Sequence, residues 1–243
     1  GPWLRFFIDA LFDRYECVKE GKKNSDINSC NILPYDLDNW TVKDFSDFYN
    51  DLTSDEWNEV IFSECVKYQG LSYIEIGHAA LRPSRDLKKT LKGQIKYKDI
   101  LRKVISRYSK FLTKYKKGII LVLPYMSIKK YLKLNLKLRQ APFSINGLVA
   151  ASQSFKNKKT RTNLGKISDN INFESFLTYI LPRFIPEIYL ESFLTTREDI
   201  LKNLPRKPRA IFTAVGYQAD DIFKIWAAEQ KELGTPLIIG QHG

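Results

Sequence analysis

Two histidines occur in this 243-residue chain, and one of them, His242, sits between Gln241 and Gly243 just after the apolar run Pro236-Leu237-Ile238-Ile239-Gly240. A histidine delivered to a strand end suits general-base work, because an unperturbed imidazole titrates near about 6.5 and exchanges protons at neutral pH. The competing reading is a histidine that caps a nearby helix or bonds backbone. The other histidine, His78 in Ile76-Gly77-His78, has no such setting and reads as structural.

For His242 to reach a site, the elements before it must form a sheet edge. Ala210-Ile211-Phe212-Thr213 is a short apolar strand, and Asp220 and Asp221 open a helix where carboxylates favour the positive end of its dipole. Phe223, Trp226, Ala227 and Gln230 continue that helix, and Gly234 stops it at the C′ position. A connection of this length demands a right-handed crossover, so Arg209 to Gly243 is expected to be one β-α-β unit with parallel strands. Ligands bind beyond the carboxyl ends of such strands. Two loops fall there, Ala214 to Ala219 and Gln241 to Gly243. The candidate substrate-binding residues are therefore Thr213, Gly216, Gln241 and Gly243, with the glycines expected to allow close backbone approach or positive φ.

The earlier chain is mostly helical. Trp3 to Lys22 has a broad apolar face, interrupted by Asp9, Asp13 and Arg14, and reads as a core helix in preference to an interfacial one. Asn24 to Asp38 reads as a polar linker. Thr41 and Ser54 have the pattern of N-caps, each with acidic residues in the turn that follows. Gln94 to Tyr115 and Ser127 to Gln140 read as helices. Between them Gly118 to Leu123 is a β-branched apolar run expected to be a strand buried on both faces. Ala151 to Asn170 is expected to be a long loop, and Phe173 to Asn203 helical with a break near Pro182 and Pro186. The fold class is α/β, a partial Rossmann-like domain with a parallel sheet and a large helical portion. Residues 1-117 are expected to be its mainly helical part and 118-243 its α/β part.

Other chemistries lack their signatures. The sequence holds no GxGxxG, Walker A, GxSxG or HExxH motif. Asp220-Asp221 reads as a helix cap in preference to a metal site, and no residue is assigned as a metal ligand. Cys17, Cys30 and Cys65 have no CxxC spacing and read as reduced thiols. No apolar run approaches the ~20 residues needed to cross a bilayer.

A net charge of +12 favours anionic partners, and much of the excess lies in Lys110 to Lys117 and in Lys156, Lys158, Lys159, Arg161 and Lys166. Few aromatics interleave the second cluster, and no zinc-finger or RRM-like pattern appears, so nucleic acid is not the expected partner. An anionic membrane surface fits clustered lysines better. A solvated surface with no partner is the plain alternative.

Several segments together resemble the surface-carbohydrate transferases of the leptospiral lipopolysaccharide type. They are Gly1-Pro2-Trp3-Leu4, Leu11-Phe12-Asp13-Arg14, Asp55-Glu56-Trp57-Asn58, Pro186-Glu187-Ile188-Tyr189-Leu190-Glu191, Ile211-Phe212-Thr213, Asp221 to Glu229, and Ile239-Gly240-Gln241-His242-Gly243. They recur in family order across nearly the whole chain. The resemblance implies a GT-B-like enzyme with its site in a cleft between two Rossmann-like domains. It also implies that this chain is an internal piece covering most of the N-terminal half, with the nucleotide-sugar domain following Gly243 and the piece inactive alone. On that reading the co-substrate is a nucleotide-activated sugar with no further cofactor, a metal requirement is left open, and the acceptor is a glycan or lipid-linked acceptor. The enzyme would be cytoplasmic and peripheral at the inner face of the membrane. His242 would deprotonate an acceptor hydroxyl or orient donor phosphate, with Gln241 and Gly243 shaping the loop. The His-Gly element is also similar to that of the CDP-glycerol phosphotransferases and the capsule Kdo transferases. Two alternatives therefore stay open, phosphoalkyl transfer and a non-catalytic basic membrane-docking module. The chain departs from the family pattern at Ala214-Val215-Gly216, where a polar residue is expected.

Overall fold

The computed structural model describes residues 1–23, 27, 29–77, 79–83, 118–140, 142, 149–151, 158–165 and 170–241. The expected helix over 94–115, the lysines at 110–117, His78, His242 and Gly243 lie outside them. In chain order the elements are α1 (Pro2–Lys22), β1 (Cys30–Ile32), α2 (Phe45–Leu52), α3 (Asp55–Tyr68), β2 (Tyr73–Glu75), β3 (Ile119–Val122), α4 (Ile128–Lys137) and α5 (Lys158–Leu164). They continue with α6 (Phe173–Phe184), α7 (Phe193–Asn203), β4 (Ala210–Thr213), α8 (Gly216–Ala219), α9 (Asp221–Glu232) and β5 (Leu237–Ile239). The chain is a mixed α/β protein with parallel sheets, a partial Rossmann-like fold. It divides into two compact units, Gly1–Gly93 with Ser154–Glu191, and Gln94–Gln153 with Ser192–Gly243.

The first unit is built on aromatic burial. Trp3, Phe7, Leu11 and Tyr15 repeat at helical spacing and are buried on one stripe of α1, so this is a core helix as expected. They pack with Trp40, Phe45, Phe48, Trp57 and Ile61, and with Phe176, Ile180 and Phe184 of α6. Ser54 caps α3 by accepting from the Trp57 amide at 3.2 Å. Thr41 is no N-cap. It follows a 3-10 turn, Leu37–Trp40, and its Oγ1 donates instead to the Arg183 carbonyl at 2.9 Å. Asp44 caps α2, accepting from the Asp47 amide at 3.0 Å. The stretch expected to be a polar linker contains β1, which pairs in parallel with β2 through Cys30↔Tyr73, Asn31↔Ile74 and Ile32↔Glu75.

The expected loop between residues 151 and 170 contains α5, and its Arg161 is no surface cation. The guanidinium is buried, bonded through Nε and Nη2 to both carboxylate oxygens of Glu191 at 2.6 Å each. Its Nη1 donates to the carbonyls of Pro182 at 2.8 Å and Ile185 at 2.9 Å. These carbonyls belong to the end of α6. That helix carries Pro182 internally and gives way to Ile185 and Pro186 before the 3-10 turn Glu187–Tyr189. The break expected near the two prolines is present, and a buried cation sits on its freed acceptors.

The second unit holds a three-stranded parallel sheet in the order β3-β4-β5. Ile120, Val122 and Ile211 meet Ile200 and Leu204 of the α7 region and Phe223, Trp226 and Ala227 of α9. Arg197 of α7 and Glu229 of α9 form an ion pair at 2.5 Å, and Trp226 Nε1 donates to the Pro205 carbonyl at 2.8 Å. The β-α-β unit expected from Arg209 onward is formed by β4, α9 and β5, with Gly234 at φ 83° closing α9. The segment after Thr213 differs from the expected open loop, because it contains the single turn α8.

Candidate functional site at the carboxyl edge of the sheet

Parallel pairing brings three chain segments to one edge. They are Leu123 to Tyr125 after β3, Ala214 to Ala219 after β4, and Gly240-Gln241 after β5. The ladder runs one residue past each strand: the Ala214 amide donates to the Leu123 carbonyl at 3.3 Å, and the Gly240 amide donates to the Thr213 carbonyl at 2.8 Å. The starts of the three segments are therefore fixed against one another by backbone bonds. Loops held in this way place side chains more firmly than loops anchored at strand ends alone.

Thr213 is fully buried, and its Oγ1 accepts from the Gly216 amide at 2.9 Å. This local bond turns the chain inward after β4. Gly216 is required for space. A Cβ there would lie 2.8 Å from Thr213 Oγ1 and 3.2 Å from Phe223 Cδ1. The sequence reading expected freedom of φ or a close ligand, and the geometry gives tight packing within the turn. Gly240 is constrained similarly, since a Cβ would stand 2.7 Å from Phe212 Cζ. Gln241 emerges beyond it, exposed.

The N-terminus of α9 also reaches this edge. Asp220 accepts from the Phe223 amide at 2.9 Å as its cap, and burial pushes its carboxyl above the usual range. Asp221 is buried beside it and receives Lys224 Nζ at 2.5 Å. A Rossmann turn that binds phosphate leaves its helix amides open to the anion. Here two carboxylates occupy that position. These carboxylates cap α9 and pair with Lys224, and they disfavour an anion at its N-terminus.

Three features at this edge escaped the sequence reading. Leu123 and Tyr125 both have left-handed backbones, at φ 42° and 50°, on either side of Pro124. Non-glycine residues adopt this region at a cost and cluster at functional sites. Tyr217, on α8, is exposed and accepts from Gln218 Nε2 at 3.1 Å. The proline directly after an apolar run was the only sequence signal for the first two. Tyr217 and Gln218 had none beyond their place after a strand.

A parallel sheet with crossover helices and loops gathered at its carboxyl edge defines a Rossmann-like unit, whose ligands bind at that edge. The family profile described as LIC12162 family transferase matches residues 1–243, and the chain belongs to that family. Comparison with curated proteins and with solved structures returns no match. The resemblance drawn from the sequence segments is thus borne out at the level of a transferase family. Among the described residues, no helix is long and apolar enough to cross a membrane.

Proposed function

We propose that the protein is a glycosyltransferase that moves a sugar from a nucleotide-activated donor to a bacterial surface glycan, and that this sheet edge is its acceptor side. Membership of a transferase family supports the reaction class. The observation that carries the acceptor assignment is the carboxylate-filled N-terminus of α9. Asp220 and Asp221 disfavour donor phosphate at the N-terminus of α9, the crossover helix that follows β4. The donor then belongs on a second domain of GT-B type, facing this edge.

In the reaction the acceptor hydroxyl oxygen attacks the anomeric carbon of the donor. The bond from that carbon to the nucleotide's phosphate oxygen breaks, and the nucleotide leaves with the bonding pair. His242 takes the hydroxyl proton, while Gln241 and Tyr217 orient the acceptor by hydrogen bonds. Most of the rate comes from alignment and from cations that stabilise the leaving phosphate.

Incubating the full-length enzyme with a panel of sugar nucleotides, and separately with CDP-glycerol, tests this reading. Hydrolysis or transfer from a sugar nucleotide is expected. Consumption of CDP-glycerol alone would make the protein a phosphoalkyl transferase. Absence of nucleotide binding to any donor would leave a docking module.

A further inference from the structure

The side chains of α4 form two adjacent rows that no described residue covers. Ile128, Leu132 and Leu136 follow one another at intervals of four and are 67%, 43% and 76% exposed. Lys129, Lys133 and Lys137 repeat the same interval one residue on and are also exposed. Because each residue advances about 100° around a helix, the apolar and lysine rows lie side by side. Lys130 and Arg139 add two further exposed cations, and no Asp or Glu occurs anywhere between Gly118 and Ala151.

The remaining side of the helix, which adjoins the apolar row at Ile128, is tied to the sheet. Asn135 is buried and accepts from Gln140 Nε2 at 3.0 Å. Gln140 in turn grips β3 like an added strand. Its Oε1 accepts from the Ile119 amide at 2.9 Å, and its Nε2 donates to the Ile119 carbonyl at 2.6 Å. This anchoring fixes the rotation of α4 about its axis, so both rows are held outward. A helix exposed only for lack of packing would show mixed charge on its outer face; this one shows apolar side chains beside an unbroken set of cations.

We infer that α4 seats the protein on an anionic lipid surface, with the leucine row inserted at the head-group boundary and the lysine row against lipid phosphates. A protein partner would need a matching acidic, apolar groove. A bilayer supplies both properties at once, since lysines near an anionic leaflet are attracted while apolar side chains leave water. Ser127, which caps α4 by accepting from the Lys130 amide at 3.5 Å, lies four residues after Leu123. The docking helix therefore starts at the same sheet edge as the candidate site. Tyr125, 74% exposed, stands between them.

Co-sedimentation with vesicles tests this directly, and it is read without turnover, so it stands or falls apart from the proposed chemistry. Pelleting is expected with equimolar phosphatidylcholine and phosphatidylglycerol vesicles, with little on phosphatidylcholine alone and weakening at raised salt. The variants Leu132→Ser with Leu136→Ser, and Lys129→Gln with Lys133→Gln and Lys137→Gln, should each lower partitioning about tenfold or more. All five positions are exposed, so thermal melts should match the parent. Equal binding to neutral vesicles, undiminished binding by both variants, or no binding at all would overturn the assignment. So would a concentration-dependent dimer abolished by the leucine variant, which would make the face a self-interface.

Discussion

The Thr213 hydroxyl accepts a hydrogen bond from the Gly216 amide at 2.9 Å, and a Cβ on residue 216 would fall 2.8 Å from that same oxygen. The two residues define one turn that has room for neither a side chain nor a missing acceptor. Gly216→Ala should therefore destabilise the protein by about 1–3 kcal/mol through overpacking. Thr213→Val should cost about 1–3 kcal/mol by stranding a buried amide, while Thr213→Ser should be far milder. Chemical denaturation of the three variants checks the order.

Arg161 and Glu191 make the second prediction. Removing one member of a buried, bidentate pair leaves its partner's charge uncompensated, so Arg161→Met should cost about 3–5 kcal/mol. The double variant Arg161→Met with Glu191→Leu should recover part of that loss, although the Pro182 and Ile185 carbonyls still lose their donor. A double-mutant cycle by urea unfolding measures the coupling. A value near zero would mean that the pair does not hold the end of α6.

Asp220 gives a pH-dependent prediction. Its folded-state pKa lies above the ordinary value of 3.8 because burial disfavours the carboxylate. Folding therefore carries a penalty that is fully present above the folded pKa. The penalty fades as pH falls through the window down to 3.8 and is absent below it. Asp220→Asn keeps an acceptor for the Phe223 amide and removes the charge. It should match or exceed the parent in stability at neutral pH, and the difference should vanish in acid. Asp220→Ala loses the cap and should cost about 1 kcal/mol at either pH. Thermal melts across pH distinguish the two variants.

These residues also mark what the sequence could disclose. The β4-α9-β5 unit was legible because its signals are local: two apolar runs, paired aspartates at a helix start, and Gly234 at its end. β1 was not, since three residues become a strand only by pairing with β2 more than forty positions away. The helix around Arg161 hid within a polar, lysine-rich stretch, and its stabilising partner lies thirty residues on. Thr41 shows the same limit, with a cap-like sequence whose hydroxyl is claimed by Arg183. At the site, the positions of Thr213, Gly216 and Gln241 could be read from strand ends. The reason for Gly216 could not, because it depends on the Phe223 ring packed above it. The left-handed backbones of Leu123 and Tyr125 were equally hidden, as neither residue type favours that region.

The most direct test of the acceptor-side account is transfer by the full-length enzyme carrying His242→Ala, measured with a consumed sugar nucleotide across pH. The substitution should lower turnover about 10²-fold or more and remove the acid limb of the pH profile, with circular dichroism and donor binding unchanged. Turnover and a pH profile equal to the parent's would contradict the assignment of His242 as the base.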